Sequence, residues 1–114
     1  MSSPADRRFY SSQAWRSLRL VILLRDGYRC CMCGTILKAG RRGDRAAIVD
    51  HIRPLALRPD LGLDEGNLWS VCSGCHDRTC TSIEARHAGD ADAIAAAKAA
   101  WRPVGIDGYP AGWA

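Results

Sequence analysis

The chain has 114 residues, of which 47% are apolar and 25% are charged, and this composition suits one soluble domain and argues against global disorder. Its longest apolar run, Leu20 to Leu24, is too short to span a membrane. The N-terminus lacks the order of charged and then apolar residues that marks a signal peptide. We therefore expect a cytoplasmic protein with no membrane partner. In that reducing compartment, the six cysteines favour metal ligation over a disulfide framework.

Positive charge is concentrated in the first half of the chain. Residues 1–58 hold twelve Lys or Arg against four Asp or Glu, whereas residues 59–114 hold four against eight. All but two of the sixteen basic residues are arginine. The planar guanidinium group of arginine can donate two parallel hydrogen bonds to a phosphate. This pattern points to a polyanionic partner. Arginine richness also follows from the base composition of a GC-rich gene, and charge alone does not separate these two interpretations.

The first predicted elements are a loose basic arm and a helix. Residues 1–11 predict the arm, and Ser12 is placed to cap a helix that Gly27 ends. Residues 28–34 predict a tight turn that ends in glycine, and residues 35–45, with two basic steps bounded by glycine, predict an exposed basic loop. Residues 46–52 are rich in β-branched side chains and predict a short strand that Pro54 ends.

The second half predicts a loop, a short apolar segment and two helical stretches. Residues 55–66 predict the irregular loop, and residues 68–71 lead into a tight turn after which the chain becomes helical. The last helix begins near Asp90 or Asp92, which supply caps, and runs to about Trp101 because Pro103 prevents its continuation. No internal repeat is present.

Two C-x2-C pairs predict a structural zinc site. Cys30 and Cys33 form one pair, and Cys72 and Cys75 form the other. Four thiolates suit Zn²⁺, and a four-cysteine cage leaves no open coordination position for chemistry. Cys31 is an alternative ligand to Cys30, although only Cys30 reproduces the spacing of the second pair.

Four further residues between and beside the cysteine pairs are candidates for catalysis: Asp50, His51, Asn67 and His76. A histidine is neutral and basic near pH 7, so His51 suits the role of general base in phosphodiester hydrolysis. A divalent ion held by Asp50 and His76 would neutralise charge on the phosphate and on the leaving oxygen. Asp50 and His51 are successive strand residues, so they would straddle such a site.

Each of these residues also has an ordinary structural interpretation. An Asp-His pair is most often a hydrogen-bonded pair, and an asparagine after glycine is most often a turn residue. His76 could instead replace one cysteine in the cage, and Cys80 is more often a packing residue than a ligand. The joint placement of the four polar residues around two cysteine pairs favours the functional interpretation.

The stretches YRCCMCG, VDHIRPL and DEGNLWSVCSGCHDRT resemble the zinc-containing HNH endonucleases, especially the small phage and prophage type associated with terminase. The resemblance covers about residues 10–84. It implies an α+β fold, in which a small zinc-stabilised ββα-metal (His-Me finger) domain carries flanking helices. The implied division is a basic arm and helix over 1–26, a nuclease core over 27–88, and a helix and turn-rich tail over 89–114.

The resemblance also implies a role for each site residue. His51 would be the general base, and Asp50 and His76 would hold a catalytic ion, for which Mg²⁺, Mn²⁺ and Ni²⁺ are the candidates. Asn67 would brace the loop and orient His51 through hydrogen bonds. The four cysteines of the two pairs would hold structural Zn²⁺. Where many relatives have lysine, this chain has Arg78, which preserves a phosphate contact.

The expected partner is DNA, and the expected contacts to its phosphates are Arg41, Arg42, Arg45, Arg53 and Arg78. A solvated loop without a partner is the alternative for the first three. We expect a monomer, since no periodic surface stripe suggests a dimer, with phage terminase as a further partner implied by the resemblance. Two rival functions stay open, namely a zinc-stabilised DNA-binding or scaffold module without chemistry and a hydrolase that uses the zinc itself.

Overall fold

The computed structural model describes residues 4–38, 43 and 45–101. The chain begins with helices α1 (Pro4–Ser11) and α2 (Gln13–Arg25), which are followed by strands β1 (Ala47–His51) and β2 (Leu68–Cys72). A continuous helical segment then comprises α3 (Ser73–Cys75), a π-helical turn (His76–Cys80) and α4 (Thr81–Arg86). Helix α5 (Ala91–Ala99) is the last described element. None of the helices in the described part of the chain is both long and apolar enough to cross a membrane.

Helix α1 corrects the prediction of a loose arm over residues 1–11. Pro4 begins the helix, where its missing N–H costs nothing, and Asp6 lies in the first turn. A helix of this length is not stable by itself. Phe9 packs against the core and lies within 5.2 Å of the Trp15 ring, so tertiary packing stabilises the helix. The prediction of an arm was wrong because residues 1–11 are mostly polar or basic. The two aromatic residues among them, Phe9 and Tyr10, form no recognisable helical pattern.

Helix α2 begins after Ser12 and ends before Gly27, as the sequence predicts. The Ser12 side chain accepts a hydrogen bond from the Trp15 N–H at 3.2 Å, and the helix stops at Arg25, two residues before Gly27. Gly27 has a φ of +65°, which glycine adopts at little cost. Buried Asp26 then accepts the Ser70 N–H at 2.9 Å and thereby fixes the end of α2 to the sheet.

Strands β1 and β2 form a two-stranded antiparallel sheet. Its register pairs Ala47 with Cys72 at one end and His51 with Leu68 at the other. Every residue of β2 is buried, and α2 packs against both strands of the sheet. Two short 3-10 turns, Pro59–Leu61 and Glu65–Asn67, shape the loop between the strands.

The hydrophobic core lies between α2, the sheet and the helical segment that follows β2. Its largest buried members include Trp15, Ile22, Leu23, Leu68 and Trp69. Helix α5 is capped as predicted by Asp90, whose side chain accepts the Ala93 N–H at 3.0 Å. The order of strand, strand and helix around one core is the ββα arrangement that the sequence predicts.

Candidate active site and metal centre

The four predicted cysteines come together at one end of the sheet. The Sγ atoms of Cys30, Cys33, Cys72 and Cys75 all lie within 4.8 Å of one another. The Cys33 and Cys72 sulfurs are 3.9 Å apart, close to the separation of about 3.8 Å that a tetrahedron with Zn–S bonds of about 2.3 Å requires. These cysteines are therefore positioned to bind a metal ion, and their donor set suits Zn²⁺.

Local backbone geometry builds this cage. The N–H groups of Met32 and Cys33 both point at the Cys30 sulfur, each at 3.4 Å, and the Cys75 N–H points at the Cys72 sulfur at 3.4 Å. Burial opposes ionisation of Cys30, but these N–H groups outweigh it and lower the pKa of that thiol. Burial and the neighbouring sulfurs instead raise the pKa of Cys75. Four thiolates together thus need a cation between them.

The remaining cysteines lie outside the cage. Cys31 is buried, and its N–H bonds the Ser70 carbonyl at 2.8 Å, which joins the first cysteine turn to β2. Cys80 is buried in the core with its sulfur 3.6 Å from the Met32 sulfur, and burial raises the pKa of its thiol. The structure thus groups Cys30, and not Cys31, with the other three cysteines, and it places Cys80 in the core. His76 does not replace a cysteine.

Asp50 and His76 face each other beside the cage. Asp50 is buried on β1 opposite Trp69, and its Oδ1 lies 3.7 Å from Nε2 of His76, the first residue of the π turn. Two donor atoms bound to one small divalent ion are about 3 Å apart, so a small movement would allow both to hold it. An oxygen donor and an imidazole nitrogen suit Mn²⁺ and similar ions.

His51 is held in one tautomer by its surroundings. Its Nε2 lies 3.0 Å from the Gly62 carbonyl, which only accepts hydrogen bonds, so Nε2 carries the proton. Nδ1 is left with its lone pair, which faces the Tyr10 hydroxyl at 3.4 Å. Trp15 stacks on the imidazole at 5.2 Å, and burial lowers the pKa of His51. The ring is therefore a neutral, oriented base at pH 7.

Gly62 is required where it holds His51. A Cβ at this position would lie 2.9 Å from Leu55 Cδ1 and 3.0 Å from Phe9 Cε1. The first distance is shorter than real carbon atoms show and the second is tight, so a side chain here would require the Leu55 and Phe9 side chains to move. Helix α1 and the loop between the strands are thus pressed together at the carbonyl that orients His51.

Asp50, His51 and His76 line one cavity of about 210 Å³. Asp50 and His51 straddle the end of β1, as their adjacent positions predict, and the cavity also receives Asp6, Tyr10 and Glu84. Its lining carries three carboxylates and two imidazoles among apolar side chains, and none of its lining residues is Lys or Arg. Such a wall attracts a cation more than it attracts a phosphate, so a phosphate would need a cation to approach.

Asn67 braces the loop, as the resemblance implies. Its Oδ1 accepts the Arg53 N–H at 2.9 Å, and its Nδ2 donates to the Arg53 carbonyl at 3.0 Å and to the Leu61 carbonyl at 3.5 Å. No hydrogen bond to His51 is among these. Asn67 acts on His51 through its neighbours, since Leu61 precedes Gly62 and Arg53 lies two residues after His51 in the chain.

Sequence reasoning missed the cavity residues Asp6, Tyr10 and Glu84, and it missed Lys98, which bonds Asp50 from outside the cavity lining. Lys98 lies on α5, fully buried, with its ammonium 2.8 Å from Asp50 Oδ2 and 2.8 Å from Glu84 Oε2. Tyr10 comes from the segment predicted as an arm. Lys98 could have been singled out because it is the one lysine in an alanine-rich predicted helix. The sequence around Glu84 offers no comparable indication.

The predicted DNA contacts are dispersed around the described surface. Arg41 and Arg42 lie outside the described residues. Arg45 and Arg78 are exposed, and the Arg53 guanidinium pairs with Asp92 at 3.0 Å across to α5. The described arginines are open to solvent or half-exposed, and their contact with DNA stays a prediction.

Comparison with known proteins agrees with this geometry. Residues 30–80, which contain both cysteine pairs and all four polar site residues, match the family model for HNH endonuclease. The chain also resembles the crystal structure of the HNH endonuclease of the deep-sea thermophilic bacteriophage GVE2 with manganese ion. That match has a TM-score of 0.58 and 35% sequence identity, and it covers 71% of this chain and 84% of the phage protein. No curated protein matches the chain.

The chain therefore belongs to the HNH endonuclease family, and it is a hydrolase that cleaves DNA. The expected α+β fold is confirmed as a mixture of helices and a small antiparallel sheet with the HNH arrangement and four clustered cysteines.

Proposed function

We propose that this protein is a divalent-metal-dependent endonuclease in which His51 is the general base and Asp50 and His76 hold the catalytic ion. The observation that carries the proposal is the convergence of these three side chains on one cavity. The spacing of Asp50 Oδ1 and His76 Nε2, at 3.7 Å, supports a shared ion. Manganese in the phage neighbour's crystal supports Mn²⁺ as one candidate, beside Mg²⁺ and Ni²⁺.

His51 would take a proton from the water that attacks the phosphate. Its protonated Nε2 is occupied by the Gly62 carbonyl, so Nδ1 is the atom that receives the proton. A general base of this kind contributes about 10² to 10⁴ in rate. The catalytic ion, when bound, would act as a Lewis acid on the phosphate and stabilise the leaving 3′ oxygen. The products would carry 5′-phosphate and 3′-hydroxyl ends.

Zn²⁺ in the cysteine cage would be structural. A closed set of four thiolates leaves no position for substrate, which disfavours a hydrolase that uses this zinc directly. We expect metal analysis of purified protein to show one zinc per chain that resists mild chelation and one weaker, exchangeable ion. Full cutting by protein that holds only the cage zinc, with no second exchangeable ion, would instead support chemistry at the zinc.

DNA binding would rest on phosphate contacts from Arg45, Arg53 and Arg78, with Arg41 and Arg42, close to Arg45 in the sequence, as further candidates. Such contacts give affinity without base specificity. The bacteriophage source of the structural neighbour supports a phage or prophage setting, in which a terminase would direct this nuclease to DNA during packaging. Co-sedimentation with the terminase from the same genome tests that partner, and sedimentation of the protein alone tests the expected monomer.

The test of the activity is conversion of supercoiled plasmid by purified protein in Mg²⁺, Mn²⁺, Ni²⁺ or EDTA. We expect cutting with a divalent ion, none in EDTA, and loss of cutting in His51→Ala and His76→Ala. His87→Ala is the matched control, because this third histidine lies at the end of α4 outside the cavity and should leave cutting unchanged.

The same assay separates nicked from linear product, and it also tests the main rival. Binding of DNA without cutting, by the parent and the variants alike, would support a DNA-binding or scaffold module and contradict the proposed reaction.

A further inference from the structure

Lys98 is a buried charge in direct contact with the candidate ion site. Its ammonium donates to Asp50 Oδ2 at 2.8 Å, to the His51 carbonyl at 2.7 Å and to Glu84 Oε2 at 2.8 Å. These three bonds use all three protons of the ammonium. Helix α5, which is distant in sequence from the cysteine pairs, thus fixes both residues at the end of β1.

The two oxygens of Asp50 differ as a consequence. Oδ2 accepts from Lys98 and from the indole N–H of Trp69, each at 2.8 Å, whereas Oδ1 is turned toward His76. Two donors arriving from different elements prevent rotation of the carboxylate. Only one oxygen is therefore presented to the side where the ion would lie.

The charge of Lys98 is maintained despite its burial. Its three hydrogen-bond partners are a carbonyl oxygen and two carboxylate oxygens, all of which accept, so the nitrogen carries three protons. A protonated ammonium has no lone pair, so Lys98 is neither a metal ligand nor a base. It is a fixed positive charge next to the place where a second positive charge would bind.

We propose that Lys98 is a positioning residue that, together with Trp69, restricts Asp50 to binding the catalytic ion through Oδ1 alone. This inference rests on the proposed ion at Asp50 and His76. With one carboxylate oxygen engaged, the ion keeps more positions for phosphate and water. The arrangement gives up some cation affinity, because Lys98 repels the ion, in exchange for an open coordination sphere.

The test compares Lys98→Met with the parent in zinc-loaded protein. Methionine has a similar length and no charge, so Asp50 would be free to use both oxygens and the repulsion would be lost. We expect Mn²⁺, followed by electron paramagnetic resonance, to bind roughly threefold more tightly or better. We expect kcat for plasmid cutting to fall at least about tenfold with KM for DNA unchanged. A purely structural role would weaken ion binding and cutting together.

Two further variants separate a positioning role of Lys98 from a purely structural one. Trp69→Phe takes away the other donor to Oδ2 without changing the charge of the cavity, and it should lower kcat severalfold without weakening Mn²⁺ binding. Ile94→Val loosens the buried face of α5 without touching Asp50, and it should leave both quantities as in the parent. Trp69→Phe decides the proposal if thermal unfolding shows that Lys98→Met is not folded.

The outcomes separate this inference from the proposed function. If the parent cuts and Lys98→Met cuts equally well, or loses cutting in proportion to weakened Mn²⁺ binding, the positioning role is wrong. If the parent cuts with no ion, the proposed function fails, and Mn²⁺ binding still decides the role of Lys98. Tighter Mn²⁺ binding in Lys98→Met than in the parent supports the positioning role, and equal or weaker Mn²⁺ binding overturns it.

Discussion

The two ends of the β1–β2 sheet are built in different ways. At the Ala47–Cys72 end, four residues of one type form the cage, and N–H groups from the same two turns point at their sulfurs. At the His51–Leu68 end, the cavity combines side chains from α1, β1, the π turn and α4, and Lys98 of α5 bonds the cavity residue Asp50. The cage is thus a local structure, whereas the cavity exists only when distant helices have packed. Loss of the cage should therefore destroy both ends, and changes in the cavity should leave the cage intact.

The largest expected effect is the loss of one cage cysteine. Cys72→Ser removes a ligand at the junction of β2 and α3, and structural zinc contributes about 10 to 16 kcal/mol of apparent binding energy in small domains. This is as large as the whole stability of a typical domain, about 5 to 15 kcal/mol. We expect loss of bound zinc and of cooperative thermal unfolding, measured by metal analysis and circular dichroism.

Cys80→Ser is the matched control for that change. Cys80 is equally buried but lies outside the cage, so the hydroxyl should cost roughly 1 to 3 kcal/mol while zinc is retained. If Cys72→Ser melted at the temperature of the parent, the cage would not stabilise the fold.

An intermediate effect is expected from Asn67→Ala. This change leaves the Arg53 N–H without its acceptor and frees the loop that carries Gly62, at a cost of about 1 to 3 kcal/mol. Cutting should fall about 10- to 100-fold because His51 is less well oriented, while zinc content is unchanged. The measurements are single-turnover cutting and thermal unfolding.

Asp64→Ala provides the comparison for Asn67. The Asp64 side chain accepts the Gly66 N–H in the same turn, whereas its bond to the Leu61 carbonyl comes from the backbone N–H, which alanine keeps, so cutting should match that of the parent. Equal loss of cutting in both variants would mean that the turn as a whole matters, and not the bracing by Asn67.

The smallest expected effect is that of Tyr10→Phe. Burial and nearby carboxylates raise the pKa of Tyr10 to about 12, so its hydroxyl is a neutral donor beside the lone pair of His51 Nδ1. At 3.4 Å this bond is weak, and its removal frees the lone pair for water. We expect cutting to rise, by no more than about threefold. A tenfold loss would show instead that the hydroxyl takes part in the reaction.

The contrast between the two ends also explains what the sequence could predict. The spacing of the cysteine pairs is a local property, so the cage and its correct members were predictable. Asp50 and His51 were predictable as a pair at a strand end, and Asp90 as a cap. The contacts of Lys98 and Tyr10 depend on how α5 and α1 pack, which no local pattern records. Helix α1 itself was wrongly predicted as an arm, because packing of Phe9 overrides weak helix propensity in so short a segment.

The π turn at His76–Cys80 determines which way the side chains of the following helix, α4, face. Its wider winding places His76 at the ion site, Cys80 in the core and Glu84 at the cavity wall along one continuous helical segment. Deleting one residue from this turn would rotate α4 by about 100° relative to the cage. Glu84 would then leave the cavity and Ile83 the core, so residues 77–79 tolerate exchange of side chains far better than a change in their number. The number of residues in this turn thus matters to the site as well as the identity of His76.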